Sequence, residues 1–226
     1  MTLPAERRFS PLRIVLAHVA TVGICYIAAI LFLMSQETRL VFQAGRLLGE
    51  GRPAFPFTQI DIPRADGARQ FGWVMENPDA RTWLLFLHGN SATIASRVNI
   101  ARYRELRALG LSIMAPEYRG FAGLPGIPSE SGLNADARAA FDYLVKTRHV
   151  SPTRLVIYGW SLGSAVAVDL AAHVDESAVV LEGAMASVAS VGAQQYPFFP
   201  VRMIMRNPFE SIQKVERVHA PMLFLH

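Results

Sequence analysis

Ser161 stands between two glycines in Gly159-Trp160-Ser161-Leu162-Gly163. A serine hydroxyl attacks an acyl carbon only if it is presented to the substrate and if donors wait for the oxyanion that forms. The G-x-S-x-G spacing meets both needs. Small residues at 159 and 163 permit a sharp, strained turn that lifts the hydroxyl above a sheet edge, and a helix starting at once aims its free N–H groups at that place. The bare pattern arises by accident in about one chain in ten of this length, at ordinary glycine and serine frequencies. Its flanks are more specific: Leu155-Val156-Ile157-Tyr158 has strand character, and an alanine-rich helical run covers residues 164–172.

The elements that must hold this serine follow from the rest of the chain. With 226 residues, 51% of them hydrophobic and 18% charged, the chain suits one α/β domain plus something that sits in lipid. Of 22 basic residues only Lys146 and Lys214 are lysines, and the arginines are scattered. That excludes a nucleic-acid patch and leaves a net charge of +4 compatible with an anionic membrane surface. Cys25 is the single cysteine, which excludes a disulfide framework and a cysteine metal site. Residues 14–34 carry no charge, and at ~1.5 Å per residue they give about 31 Å of helix, the thickness of a hydrocarbon core. The stretch is longer than the apolar region of a cleavable signal peptide, its rival reading, and no A-x-A site follows Met34. Arg7, Arg8 and Arg13 before it place the N-terminus in the cytoplasm and the body of the chain in the periplasm or exterior.

Residues 35–56 hold Gly45, Gly49, Gly51, Pro53 and Pro56 and read as a linker, with a short strand over 40–43. Residues 57–62 and 70–75 flank Asp66-Gly67 and predict an antiparallel hairpin. From 82 onward apolar strands (82–87, 111–115, 155–158, 178–182, 221–225) alternate with helices (93–109, 131–147 and the run after Ser161), predicting a mostly parallel sheet covered on both faces. Helix 131–147 places Leu133, Ala137, Ala140, Phe141 and Leu144 on one buried face.

Leu87-His88-Gly89-Asn90 after one strand, Glu117-Tyr118-Arg119-Gly120 after the next and Gly159-Trp160-Ser161-Leu162-Gly163 after a third resemble the α/β-hydrolase superfamily. With the N-terminal apolar stretch and Tyr196-Pro197-Phe198-Phe199-Pro200, the chain is similar to small membrane-anchored serine hydrolases: esterase-, lysophospholipase-, depalmitoylase- or serine-aminopeptidase-like. The resemblance implies an α/β-hydrolase fold preceded by one transmembrane helix. It implies Ser161 as nucleophile, with the backbone N–H groups of Leu162 and Asn90 as oxyanion donors, and His88 as a hydrogen-bonded structural residue. The family orders its triad as serine, acid, histidine. After Ser161 the acids are Asp169, Asp175, Glu176, Glu182, Glu210 and Glu216 and the bases His173, His219 and His226. Only Glu182, at a strand end, is retained as a secondary candidate acid. By the resemblance, the triad Asp and His and a last strand and helix would follow residue 226, so the 226-residue form is expected to be impaired.

The implied organisation is a cytoplasmic segment 1–13, an anchor 14–34, a linker 35–56 and a hydrolase domain 57–226, with residues 183–216 as a candidate lid. The implied activity is cleavage of an ester, thioester or amide of a small-molecule or lipid-like acyl substrate, with no cofactor and no metal. The alternatives are a non-catalytic membrane-anchored binding module or inactive fragment, and a lyase or dehalogenase, the last disfavoured by a serine nucleophile. Oligomeric state leaves no signal.

Overall fold

The computed structural model describes residues 11–44 and 50–226. Most of the expected cytoplasmic segment 1–13, and the centre of the expected linker, lie outside those residues. Two compact units are present, residues 1–37 and 38–226. Helix α1 (Pro11–Phe42) runs through both. It is longer than the expected anchor 14–34, and it is the one helix among the described residues long and apolar enough to cross a membrane. The strand expected over 40–43 is instead its last turn. Val41 and Phe42 are buried in the core of the second unit, so the hydrophobic signal there came from packing and not from β structure.

The second unit is built on a seven-stranded sheet in the order β1-β2-β4-β3-β5-β6-β7. The strands are β1 (Thr58–Asp61), β2 (Phe71–Met75), β3 (Trp83–Leu87), β4 (Ser112–Pro116), β5 (Leu155–Trp160), β6 (Ala178–Glu182) and β7 (Met222–Leu225). β2 pairs antiparallel with β1 and with β4; every pairing from β4 through β7 is parallel. The expected hairpin forms, with Gly67 at φ 71° in its turn.

Period-two alternation divides each strand between two cores. Leu85, Leu87, Met114, Leu155 and Ile157 face one way, against Leu133, Ala137, Ala140 and Phe141 of α3 (Glu130–Asp142) and the buried face of α4 (Leu162–Ala171). Leu84, Phe86, Ile113 and Tyr158 face the other way, around Tyr103 of α2 (Arg97–Ala108). α2 starts four residues later than its apolar pattern predicts. The Thr93 and Ser96 side chains bond the backbone N–H groups of Ala95 and Thr93 and hold a turn there, with Ser96 as the N-cap. α3 ends in a π-helical turn, Tyr143–Thr147, that still buries Leu144.

The segment after β6, which holds the candidate lid 183–216, is divided among three short helices. It forms α5 (Val188–Gln195), capped by the Ser187 side chain, then α6 (Val201–Ile204) and α7 (Ser211–Lys214). Its base is fastened: the Lys214 ammonium bridges Glu130 (3.0 Å) and Asp169 (2.6 Å), and Phe209 is buried against Phe42.

Candidate active site

Ser161 is the residue between β5 and α4, and its backbone is held at φ 52°, ψ −120°. A non-glycine residue pays for such a conformation in strain and keeps it only where the surroundings leave no alternative. The surroundings here are backbone. A Cβ on Gly159 would lie 2.6 Å from Ser164 Cα, and one on Gly163 would lie 2.6 Å from the His88 carbonyl oxygen and against that of Leu87. The two glycines therefore let the end of β3, the elbow and α4 close on one another. The Ser161 N–H is spent on the Glu182 carbonyl oxygen (2.8 Å), locking the elbow to the end of β6. Its side chain is half-buried, not packed away, and caps no helix N–H.

The turn after β3 comes up against this serine. A Cβ built on Gly89 would be 3.1 Å from Ser161 Cβ. His88, fully buried, directs Nε2 at Glu117 Oε1 (2.9 Å) and Nδ1 at the Gly89 carbonyl oxygen (2.8 Å). Both ring nitrogens are thus turned to these oxygens and neither to Ser161 Oγ. The peptide between residues 89 and 90 is a rigid trans plane. Holding the Gly89 oxygen towards His88 therefore turns the Asn90 N–H the opposite way. Among the described residues neither the Asn90 N–H nor the Leu162 N–H has a protein acceptor, and Leu162 opens α4, where the helix leaves its first amides unpaired.

Glu117 is the residue the sequence quoted but did not use. It is wholly buried at the end of β4, and besides His88 it accepts from the Ile94 N–H (3.0 Å) and the Tyr118 N–H (3.2 Å). Gln70 donates to the Glu117 backbone oxygen (3.1 Å), and the buried Asp136 holds the Arg119 N–H (2.8 Å) and guanidinium, fixing the loop that follows. Nothing local signals these pairings, which join residues far apart in the chain.

The structure gives the Glu182 carboxylate to Arg102 and to the Tyr158 hydroxyl. No histidine among the described residues shares it. Its hydrogen bonds from Arg102 hold it below the usual carboxylate range, and burial together with the same carboxylate pushes the Tyr158 hydroxyl upward. The Arg102 guanidinium lies 4.0 Å over the Trp160 ring. The cluster secures the elbow from the α2 side. His173, in the turn just after α4, has Nδ1 paired to the Asp169 carbonyl oxygen. No histidine among the described residues bonds to the Ser161 hydroxyl, and none of their His, Cys, Asp and Glu side chains group as a metal site.

The comparisons with known proteins agree with this architecture. The profile of the Alpha/beta hydrolase family matches residues 84–224. An uncharacterized protein of Mycobacterium tuberculosis is 37% identical over 92% of this chain and 74% of its own length. An alpha-beta hydrolase from Vibrio vulnificus superposes with a TM-score of 0.64 over 74% of this chain at 22% identity, and the chain spans 62% of that protein. An esterase from Pyrococcus furiosus gives 0.66 over 79% of this chain and 74% of its own length at 16% identity, a likeness of fold. By the family profile, which covers more than half of its length, the chain belongs to the alpha/beta hydrolase family.

Proposed function

We propose that the chain carries a serine acyl-transfer centre at Ser161, acting on esters, thioesters or amides of small or lipid-like acyl groups. The observation that carries this proposal is the strained Ser161 backbone beside two amides, Asn90 N–H and Leu162 N–H, that no protein acceptor uses. Ser161 Oγ attacks the acyl carbon and gives its proton to solvent water, and the carbonyl electron pair moves onto oxygen and is held by the two amides. Collapse expels the leaving group and forms the acyl-serine. Water then attacks the same carbon and gives up a proton to solvent, and Ser161 Oγ departs, regains a proton from solvent and releases the acid. The described residues bring no imidazole to the hydroxyl. An activated ester is therefore the substrate they serve best, because its leaving group departs without a proton. Removing triad members elsewhere leaves a residual ~10³–10⁴-fold acceleration from oxyanion donors and binding.

The apolar surface of the segment after β6 favours acyl chains over small polar esters: Phe198 and Met203 are 84% and 86% exposed there. A chain that carries both such a segment and the apolar helix α1 suits a substrate drawn from a lipid surface. The N-terminus would be cytoplasmic and the catalytic unit on the far side.

Single-turnover release of p-nitrophenol from p-nitrophenyl acetate and octanoate tests both parts. Ser161→Ala is expected to lose the reaction, and octanoate to acylate faster than acetate. Undiminished release by Ser161→Ala would overturn the serine centre; equal rates for the two esters would remove the preference for longer chains.

A further inference from the structure

The turn that carries Asn90 is clamped from an unexpected direction. Asn90 Nδ2 donates to the Val41 carbonyl oxygen (3.1 Å), Ser91 N–H to the Phe42 carbonyl oxygen (3.1 Å), and Ser91 Oγ to Gln43 Oε1 (2.7 Å). Val41 and Phe42 are the last residues of α1. A helix end leaves its last four carbonyl groups without intrahelical partners, and these are ordinarily met by the chain that follows it. Here the Val41 and Phe42 carbonyls are met by residues some fifty positions later. The clamp is rigid on both sides. Phe42 is fully buried and packs edge-on to Phe209, with ring centroids 6.0 Å apart. Gln43 (φ 49°) and Ser91 (φ 56°) both occupy the left-handed region, which each holds only while its partners keep it there. Ser91 spends its N–H on Phe42, so the free amide of the turn is that of Asn90.

We propose that Val41, Phe42 and Gln43, at the C-terminal end of the apolar helix, are positioning residues of the acyl-transfer site, holding the Asn90 amide at the place where the oxyanion forms. None of them touches substrate. They act through the Asn90–Ser91 turn, and loosening the turn lowers the rate of acylation without weakening ester binding. The residues are thus part of the catalytic apparatus, although they are continuous with a segment whose composition marks it as an anchor. The proposal rests on Ser161 as nucleophile and is tested so that the two fail separately.

The experiment uses the whole chain in detergent. Single-turnover acylation by p-nitrophenyl octanoate is measured against ester concentration for wild type, Gln43→Ala, Gln43→Glu, Ser91→Ala and the Gln43→Ala/Ser91→Ala double variant, with Ser161→Ala as control. Amide hydrogen exchange of the peptide covering residues 89–92 is followed in parallel. Gln43→Ala and Ser91→Ala are each expected to lower the limiting acylation rate about tenfold with the half-saturating ester concentration unchanged, since small misplacement of a reacting group costs that order of rate. The double variant is expected to be no slower than either single one, because both remove the same bond. Gln43→Glu keeps an acceptor for the Ser91 hydroxyl and is expected to restore the rate. Exchange at 89–92 is expected to rise in Gln43→Ala and Ser91→Ala and to stay at the wild-type level in Ser161→Ala. Wild-type rates in Gln43→Ala and Ser91→Ala, with Ser161→Ala inactive, would overturn the positioning role and leave the serine centre standing. Acylation surviving in Ser161→Ala would overturn the serine centre, and exchange at 89–92 would then decide the clamp alone: unchanged protection in Gln43→Ala refutes it.

Discussion

The elbow at Ser161 and the turn at Asn90 each carry one amide without a protein acceptor among the described residues, yet they are built by opposite means. At the elbow, backbone packed against backbone fixes the geometry: Gly159 and Gly163 leave no room for a Cβ, and Ser161 is forced to φ 52° within a stretch of five residues. At the turn, hydrogen bonds from remote parts of the chain fix it: His88 holds the Gly89 oxygen, Glu117 holds His88, and the end of α1 holds Asn90 and Ser91. One half of the site is therefore encoded locally and brittle, and the other is encoded by tertiary contact and adjustable. The difference predicts how each responds to substitution.

The elbow should break outright. Gly163→Ala drives a methyl group into the Leu87 and His88 carbonyl oxygens, which cannot move without parting β3 from α4. The expected loss is about 4 kcal/mol or more of stability, readable in urea unfolding together with complete loss of acylation. The turn should weaken more gradually. Glu117→Gln replaces a buried carboxylate that takes up His88 and the Ile94 and Tyr118 amides, a change expected to cost about 2 kcal/mol, because the amide NH2 leaves at least one of these buried donors without its acceptor. Acylation in the protein that remains folded should fall but persist.

Two smaller effects sharpen the contrast by falling outside it. Glu176 lies in the connection from α4 to β6, at the other end of the parallel strands, with both carboxylate oxygens buried and unpartnered. Burial, aided by the Asp175 charge, pushes its carboxyl up to about 7 from 4.5. The folded state therefore holds this proton more tightly than the unfolded state does. Stability from this group is complete below 4.5 and is lost as pH rises towards about 7. Glu176→Gln should abolish that decline in pH-dependent unfolding, gaining stability at pH 8 relative to wild type and leaving Ser161 acylation untouched. Glu182→Gln should have the smallest effect on the chemistry. A triad acid would cost about 10⁴-fold; a carboxylate occupied by Arg102 and Tyr158 should change acylation less than about threefold, measured in the same single-turnover assay.

What the sequence disclosed follows the same division. The strand, turn and helix around Ser161, the hairpin turn at Asp66-Gly67 and the buried face of α3 were legible, because periodicity and glycine placement act over a few residues. The fate of residues 35–44 was not. Polar Gln36 to Arg39 and later glycines and prolines looked like a linker, while the burial of Phe42 that carries α1 onward depends on Phe209, far along the chain. Glu117 was visible as a residue but not as the partner of His88, since nothing in either neighbourhood names the other. The late start of α2 was readable in principle from Thr93 and Ser96, whose hydroxyls compete for backbone amides. Glu182 was kept for its place at a strand end, and only the side chains of Arg102 and Tyr158 show what it does there.

The most direct measurement maps covalent modification after treatment of the whole protein with a fluorophosphonate. The account predicts one adduct per chain, on the peptide containing Ser161, formed slowly in wild type and absent from Ser161→Ala. An adduct on any other residue, or an unmodified Ser161 after wild-type protein has been exposed to excess probe, would contradict it.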